Sequence, residues 1–280
     1  MNVVLIGGSG QLGTEIRTRW VGDAILAPSH ADLDILDSEA VARVVDAHHA
    51  DLVVNCAAFH NVDACESQPA KAFAANAEAV DAMAAICRRR EIAFVTISTD
   101  YVFDGAKKAP YTEEDTPRPL SVYAVSKLAG ELLVLRGEAK AYVIRTCGVY
   151  GAAASKSKGT FIDRVIEQAR SGETIRAVND VIASPTFAGH LAEAMRSLVA
   201  TGAYGLYHAC NAGAISWYDY ATKALELAKI DGEVEPISAS DWKVVARRPS
   251  YSALANRKLE ALGIRMPDWE AGIGAYLRSR

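Results

Sequence analysis

No apolar run in the chain approaches the ~20 residues needed to cross a bilayer, so no transmembrane helix is expected. The opening stretch, MNVVLIGGSG, lacks the cationic segment and long apolar core of a secretory signal. Cysteine is scarce and unpatterned. The five residues Cys56, Cys65, Cys87, Cys147 and Cys210 are odd in number and contain no C-x-x-C, which argues against a disulfide framework or a zinc site. The six histidines form no H-E-x-x-H, and adjacent His48 and His49 point in different directions on a helix, so no metal site is expected. Positive charge is not in excess: 30 Lys and Arg stand against 34 Asp and Glu, a net charge of −4. That excludes a basic nucleic-acid surface and a polybasic membrane patch. Internal repeats and low-complexity segments are missing too. These absences leave a soluble, reduced, cytoplasmic protein as the expectation.

What is present is a chain of 280 residues, half of them hydrophobic and 23% charged. That length suits one domain with an appended lobe. Short apolar runs at Val3–Ile6, Ala24–Ala27, Leu52–Asn55, Ala93–Ser98 and Ala141–Arg145 read as buried parallel strands. Helix-length stretches lie between them, at Gln11–Trp20, Ser38–Ala47, Ala70–Arg90 and Ser121–Arg136. The alternation predicts an α/β fold, a Rossmann-like doubly wound parallel sheet. After Gly151 the rhythm weakens. Ala152–Gly159 reads as a loop, followed by a helix at Thr160–Ser171, a strand near Thr174–Val178, a helix at Phe187–Ala200 and a strand at Gly205–Cys210. Ser216 to Asp219 has capping-box spacing, and a last helix is expected near Trp269–Leu277. The division expected is an NAD(P)-binding domain over 1–145 plus roughly 185–212, with a smaller α/β C-terminal substrate lobe over 146–184 and 213–280.

Gly7, Gly10 and Gly13 give G-x-x-G-x-x-G directly after the first strand and at the start of a helix. Glycines there let the backbone turn tightly and touch a pyrophosphate at the helix N-terminus. An acidic residue ending the second strand would bind a ribose 2′-hydroxyl. Here the strand runs into Pro28, Ser29 and His30. Ser29 and His30 either hydrogen-bond a phosphate or are plain loop residues, and the balance leans to NADPH or to dual use with NADH. Asp34 and Ile35 lie where an adenine would be met. Cys56, Ala57 and Ala58 end the third strand, small enough for a cofactor to lie against the backbone. Ser98, Thr99, Asp100 and Tyr101 end the fourth strand at the same edge. Tyr123 and Lys127 then stand four apart, on one face of a helix. A bare Y-x-x-x-K occurs by chance, but at the mouth of a nicotinamide site it makes a machine. Thr99 would hold a carbonyl oxygen and Tyr123 would deliver a proton. Lys127 would lower the phenol's pKa and grip the nicotinamide ribose.

In these motifs the chain resembles the extended short-chain dehydrogenase/reductases and, within them, the dTDP-4-dehydrorhamnose reductase family. The likeness runs nearly end to end. It rests on GGSGQLG, NCAA followed by NVDACE, STDYVFDG and YAVSKLAGE, then Arg145-Thr146, Val149-Tyr150-Gly151, Ser184-Pro185-Thr186, Gly205-Leu206-Tyr207-His208, Ser216-Trp217-Tyr218 and Arg248-Pro249. The resemblance implies a catalytic set of Thr99, Tyr123 and Lys127. It implies cofactor contacts at Gly7, Gly10, Gln11, Leu12, Asp34, Ala57, Ala58 and Lys127, with Gly13 completing the glycine turn. It also implies reduction of a 4-keto sugar nucleotide by NADPH or NADH. Magnesium at a homodimer interface, found in some members, is implied by the resemblance alone, and no ligands for it can be traced.

Two positions depart from the family pattern. Gly148 replaces a tryptophan that packs near the sugar, and Val181 replaces a polar amide. The reaction type is therefore better supported than the sugar. Asp100, Tyr101, Gly148 and Arg248 are the expected substrate neighbours, with Arg248 the leading cation for the pyrophosphate, ahead of Arg247 and Lys158. Asp-Tyr after Thr99, where related 4,6-dehydratases have Asp-Glu, argues against dehydration but leaves epimerisation open. A further alternative is a binding subunit resembling the regulatory β subunit of methionine adenosyltransferase.

Overall fold

The structure is a computed structural model and describes residues 1–137, 140–153, 159–241 and 243–280. The first half alternates as the sequence predicts: β1 (Asn2–Ile6), α1 (Gln11–Arg19), β2 (Ala24–Leu26), α2 (Ser38–Ala47) and β3 (Leu52–Asn55). Then come α3 (Val62–Ser67), α4 (Pro69–Phe73), a π-helical turn at Ala74–Glu78, α5 (Ala79–Arg89), β4 (Ala93–Thr99), α6 (Val122–Leu135) and β5 (Ala141–Thr146). The second half contains β6 (Val149–Tyr150), α7 (Phe161–Arg170), β7 (Ile175–Val178), β8 (Ile182–Ala183), β9 (Thr186–Phe187) and α8 (Ala188–Thr201). It closes with β10 (Gly205–His208), β11 (Ile215–Ser216), α9 (Trp217–Ala228), β12 (Val234–Ile237), α10 (Arg257–Ala261) and α11 (Trp269–Arg278). Most of the loop read at 152–159, and Lys158 with it, lies outside the described residues.

Six of these strands form one parallel sheet in the order β10-β5-β4-β3-β1-β2. The direction of winding reverses between β1 and β3, where such sheets bind ligands beyond their carboxyl ends. Alternation along each strand feeds both faces. Val3, Leu5, Leu52, Val54 and Ile144 pack under α1 and α8. Val4, Ile6, Val53, Phe94 and Val143 pack under α2 and α5. A separate apolar cluster of Tyr150, Ile162, Ile175, Phe187, Tyr220 and Ile273 holds α7, α9 and α11 together.

Side-chain caps set the helix starts. Ser121 accepts from Ala124 N–H at the head of α6, and Thr160 and Asp163 form a full capping box at α7. At α9 the expected box is incomplete. Ser216 Oγ accepts from Asp219 N–H but gives its own proton to the Asp219 carboxylate. The single helix expected over Ala70–Arg90 is three pieces, α4, the π turn and α5. The reason is tertiary: the π turn at Ala74–Glu78 is where α6 presses closest. A Cβ on Gly130 would lie 2.3 Å from the Asn76 carbonyl oxygen.

Candidate active site

The cleft begins where β1 meets α1. Gly7 has φ +79°, a left-handed conformation that L side chains rarely adopt. A Cβ there would sit 2.8 Å from Ala57 N, so Gly7 lets the ends of β1 and β3 close on one another. A Cβ on Gly13 would meet Gly7 O at 2.3 Å, which explains its absence. Gly10 differs: among the described residues its only near neighbour is Gly7 O at 3.4 Å, so a side chain there would fill the open cradle above the helix. Gly10 is also the N-cap of α1 and offers no side-chain cap, and the first turn has no acidic residue. Free N–H groups at a helix start favour an anion. Gln11 and Leu12 begin the helix, with Leu12 buried beneath it. The residues present thus fit a dinucleotide pyrophosphate.

Cys56, Ala57 and Ala58 are half-buried along the cleft floor, and Ala57 N–H donates to Asn55 Oδ1 at 3.0 Å. Burial pushes the Cys56 thiol up to about 12, so it is inert as a nucleophile. Beyond β2 one expectation changes. Ser29 and His30 are exposed, but Ser29 is not free for a phosphate. Its hydroxyl donates to Asp32 at 2.6 Å and its N–H to the same oxygen at 3.2 Å. These bonds hold the Asp32 carboxyl below its usual range and fold a carboxylate back to the end of β2. Asp34 is exposed and accepts from Leu36 N–H, with Ile35 half-buried beside it.

Thr99, 6% exposed, ends β4. Its Oγ1 donates to Asp100 Oδ1 at 3.1 Å and accepts from Tyr101 N–H at 3.2 Å. Asp100 is turned inward rather than toward a substrate. It is 3% exposed, its Oδ2 accepts from Cys147 Sγ at 3.1 Å, and burial pushes its carboxyl up to about 6. Asp100 therefore orients Thr99, and its expected role as a substrate contact is corrected.

On α6, Tyr123 is half-buried beside Thr99 and stands edge-on to Tyr101, ring centroids 6.3 Å apart. Burial pushes its phenol up, and the nearby Thr99 hydroxyl works against that push. Lys127, expected to acidify this phenol, holds the backbone of β4. Lys127 Nζ donates to the Ile97 carbonyl at 2.6 Å and faces Glu131 and Cys56. Burial draws it down to about 8. The two side chains share a helix: Tyr123 lies beside Thr99, and Lys127 bonds the Ile97 carbonyl of β4.

Gly148 has φ +50°, and a Cβ there would touch Pro185 and the Trp217 ring at 3.4 Å. The flat surface expected to be missing is thus partly supplied by Trp217, which packs edge-to-face on Phe161 at 5.0 Å. Beside them lies a cavity of about 200 Å³, bordered by Gln11, Gly148, Thr160, Phe161, Trp217 and Tyr220. Among the described residues, Gln11 Oε1 is buried on it without a hydrogen-bond partner. Arg248 is half-buried and already engaged by Asp63, at 2.9 Å. Arg247 is exposed.

Two groups were missed by motif reading. Asn76, 1% exposed on the π turn, bonds Phe59 N–H at 2.9 Å, Phe59 O at 3.1 Å and Ser126 Oγ at 3.0 Å. It thereby ties the loop after β3 to α6. Glu131 pairs with Arg145 at 2.6 Å, both under 4% exposed, and accepts the Ser98 hydroxyl. The glutamate of YAVSKLAGE and Arg145, fourteen residues on, were both visible in the sequence; that they pair was not. Among the described residues no group of three or more His, Cys, Asp and Glu is placed to share a metal ion. None of the described helices is long and apolar enough to cross a membrane.

The family described as RmlD substrate binding domain matches residues 1–280. A dTDP-4-dehydrorhamnose reductase of Burkholderia thailandensis is 35% identical over 297 aligned positions, covering 99% of this chain and 98% of the relative. A crystal structure of a dTDP-4-dehydrorhamnose reductase from Clostridium acetobutylicum superposes with a TM-score of 0.93 at 33% identity, covering 100% and 99% of the two chains. The dTDP-4-dehydrorhamnose reductase of Bacillus anthracis in complex with NADP superposes equally well, TM-score 0.93 at 31% identity, covering 99% of each chain.

Proposed function

Because the chain belongs to the RmlD substrate binding domain family, we propose that it is an NAD(P)H-dependent reductase of the C4 ketone of a deoxysugar nucleotide, of the dTDP-4-dehydrorhamnose reductase kind. One observation carries the reading. The Thr99 hydroxyl and the Tyr123 phenol converge at the end of β4, beside a glycine-lined cradle that a dinucleotide fits, with the Lys127 ammonium on the cradle side. The bound nicotinamide would supply the hydride. Gly7, Gly10, Gln11, Leu12 and Gly13 would hold its pyrophosphate, Cys56, Ala57 and Ala58 would floor it, and Ser29, His30, Asp34 and Ile35 would lie along its adenosine half. Lys127 would fix the ribose. Thr99, oriented by Asp100, would hold the ketone oxygen in place, and Tyr123 would give it a proton. Asp32, folded onto Ser29, favours a ribose 2′-hydroxyl over a 2′-phosphate. NADH use beside NADPH is therefore expected, with Asp32→Asn shifting the preference toward NADPH.

The test follows nicotinamide absorbance with purified protein, NADPH or NADH, and dTDP-4-keto-6-deoxy-L-lyxo-hexulose. Wild-type turnover is expected. Tyr123→Phe should lose roughly 10²–10⁴-fold in rate while binding cofactor normally. Equal activity in that variant would sink the mechanism. Tight cofactor binding with no oxidation of any keto sugar would mark a binding subunit instead. A second reading, reduction of a different 4-keto sugar, is favoured by the cavity beside Gly148. A panel of 4-keto sugar nucleotides, ranked by kcat/KM, separates the two.

A further inference from the structure

The short helix α3 carries two carboxylates three residues apart, Asp63 and Glu66, that the reading above leaves unused. Each reaches a different part of the active site. Asp63 Oδ1 accepts from Ala246 N–H at 2.9 Å, Val245 N–H at 3.2 Å and Arg248 Nη1 at 3.2 Å. Its Oδ2 accepts from Arg248 Nη2 at 2.9 Å. Arg248 Nη1 also donates to the Ala246 carbonyl at 3.0 Å, which closes the ring of bonds. On the other side, Glu66 Oε1 accepts from Val122 N–H at 2.8 Å. Val122 immediately precedes Tyr123 in the first turn of α6. Between the two carboxylates in sequence, Cys65 is fully buried.

The geometry says more than an ion pair would. Asp63 and Arg248 are 39% and 28% exposed, and such a pair contributes little to stability. What it fixes is position. Two backbone N–H groups and both arms of a guanidinium on one carboxylate leave the segment after residue 243 a single seat. A guanidinium has five N–H donors. Three are used here, so donors remain for an anion. The next side chain on which Arg248 acts is Tyr101, whose ring stands against Tyr123.

We propose that Asp63 is a positioning residue for substrate recognition. It presents Arg248 and the 243–249 segment to the diphosphate of a nucleotide sugar, while Glu66, on the same six-residue helix, seats the turn that carries Tyr123. The grip on the anionic end of the substrate and the placement of the phenol are thereby set from one element. This rests on the sugar-nucleotide reading.

The experiment compares wild type, Asp63→Asn and the exchanged pair Asp63→Arg/Arg248→Asp. It measures KM and kcat with the sugar nucleotide, NADPH affinity by nicotinamide fluorescence, and hydrogen exchange at the Val245 and Ala246 amides. Asp63→Asn should raise KM on the order of 10-fold with kcat and NADPH affinity within about 3-fold, and exchange at the two amides should quicken on the order of 10-fold. The exchanged pair should regain neither, because an arginine at position 63 offers no acceptor to the Val245 and Ala246 amides and its guanidinium stands at the wrong end of the contact. Faster exchange with unchanged KM, or recovery of KM in the exchanged pair, would reduce the contact to a structural latch and overturn the proposal. A parallel fall in kcat and NADPH affinity would do the same. A wild type that turns over no sugar nucleotide defeats the functional reading instead, whereas an active wild type with an indifferent Asp63→Asn defeats only this one.

Discussion

Burial keeps the Tyr123 phenol protonated through the neutral range. A proton donor must start in that state, but the same burial opposes release of the proton. The ketone oxygen, as it gains charge, must supply the drive. Lys127 is a better candidate for a pH switch than Tyr123, since burial draws it down to about 8. An amine is charged below its pKa and neutral above it. Cofactor affinity should therefore weaken as pH rises through about 8, and Lys127→Met should bind weakly with a flat profile. Titrations of NADPH binding from neutral to alkaline pH test both. Asp100 has the opposite displacement, its carboxyl raised to about 6. Between the unfolded value of about 4 and this one, the native state holds more protons, so stability falls as pH rises through that window and stays reduced above it. Asp100→Asn should recover on the order of 2 kcal/mol in urea at pH 7 and almost nothing at pH 4.

Between α6 and the π turn, and between α6 and β5, the catalytic helix is held by contacts with no slack. Gly130 faces the Asn76 carbonyl so closely that any Cβ would collide with backbone. Gly130→Ala should cost about 1–3 kcal/mol and lower kcat, because the turn that moves carries Asn76 and its bond to Ser126. Thermal melts and steady-state kinetics on one sample check both effects. On the other flank, Arg145→Met strips the buried Glu131 of its cation. Loss of one partner of a buried pair costs about 3–5 kcal/mol. Adding Glu131→Leu should recover much of the stability but not the activity, since Lys127 then loses the carboxylate that keeps it charged.

At the scale of the whole molecule the site draws on both sides of the point where the sheet reverses: the ends of β1, β3 and β4, the start of α1, and α6. A ligand spanning that point should bind the folded chain alone. NADPH at 100 times its Kd should add about 2.7 kcal/mol of stability, visible as a rise in melting temperature. Gly10→Asp, which places a carboxylate in the cradle, should abolish the rise without lowering the melting temperature of the free protein, because Gly10 has only one near neighbour among the described residues.

Sequence alone determined the five strands of the first half and helices α1, α2 and α6, because burial on two faces writes near-continuous apolar runs in β1, β3, β4 and β5 and each helix its own period; the edge strand β2 is more exposed, and neither α3 nor the break at the π turn was legible. It also determined the glycine cradle, where Gly7 and Gly13 admit no Cβ, and the Tyr123 and Lys127 spacing. Only the tertiary structure decided what those side chains face. Lys127 is held by the Ile97 carbonyl and kept charged by Glu131. Ser29 is held by Asp32. The surface missing at Gly148 is met by Trp217, and Arg248 is met by Asp63, 185 residues away. The physical reason is common to all four. A periodic pattern records which face of an element is buried, but not which element covers it. Hydrogen-bond and charge partners far apart along the chain leave no period to read.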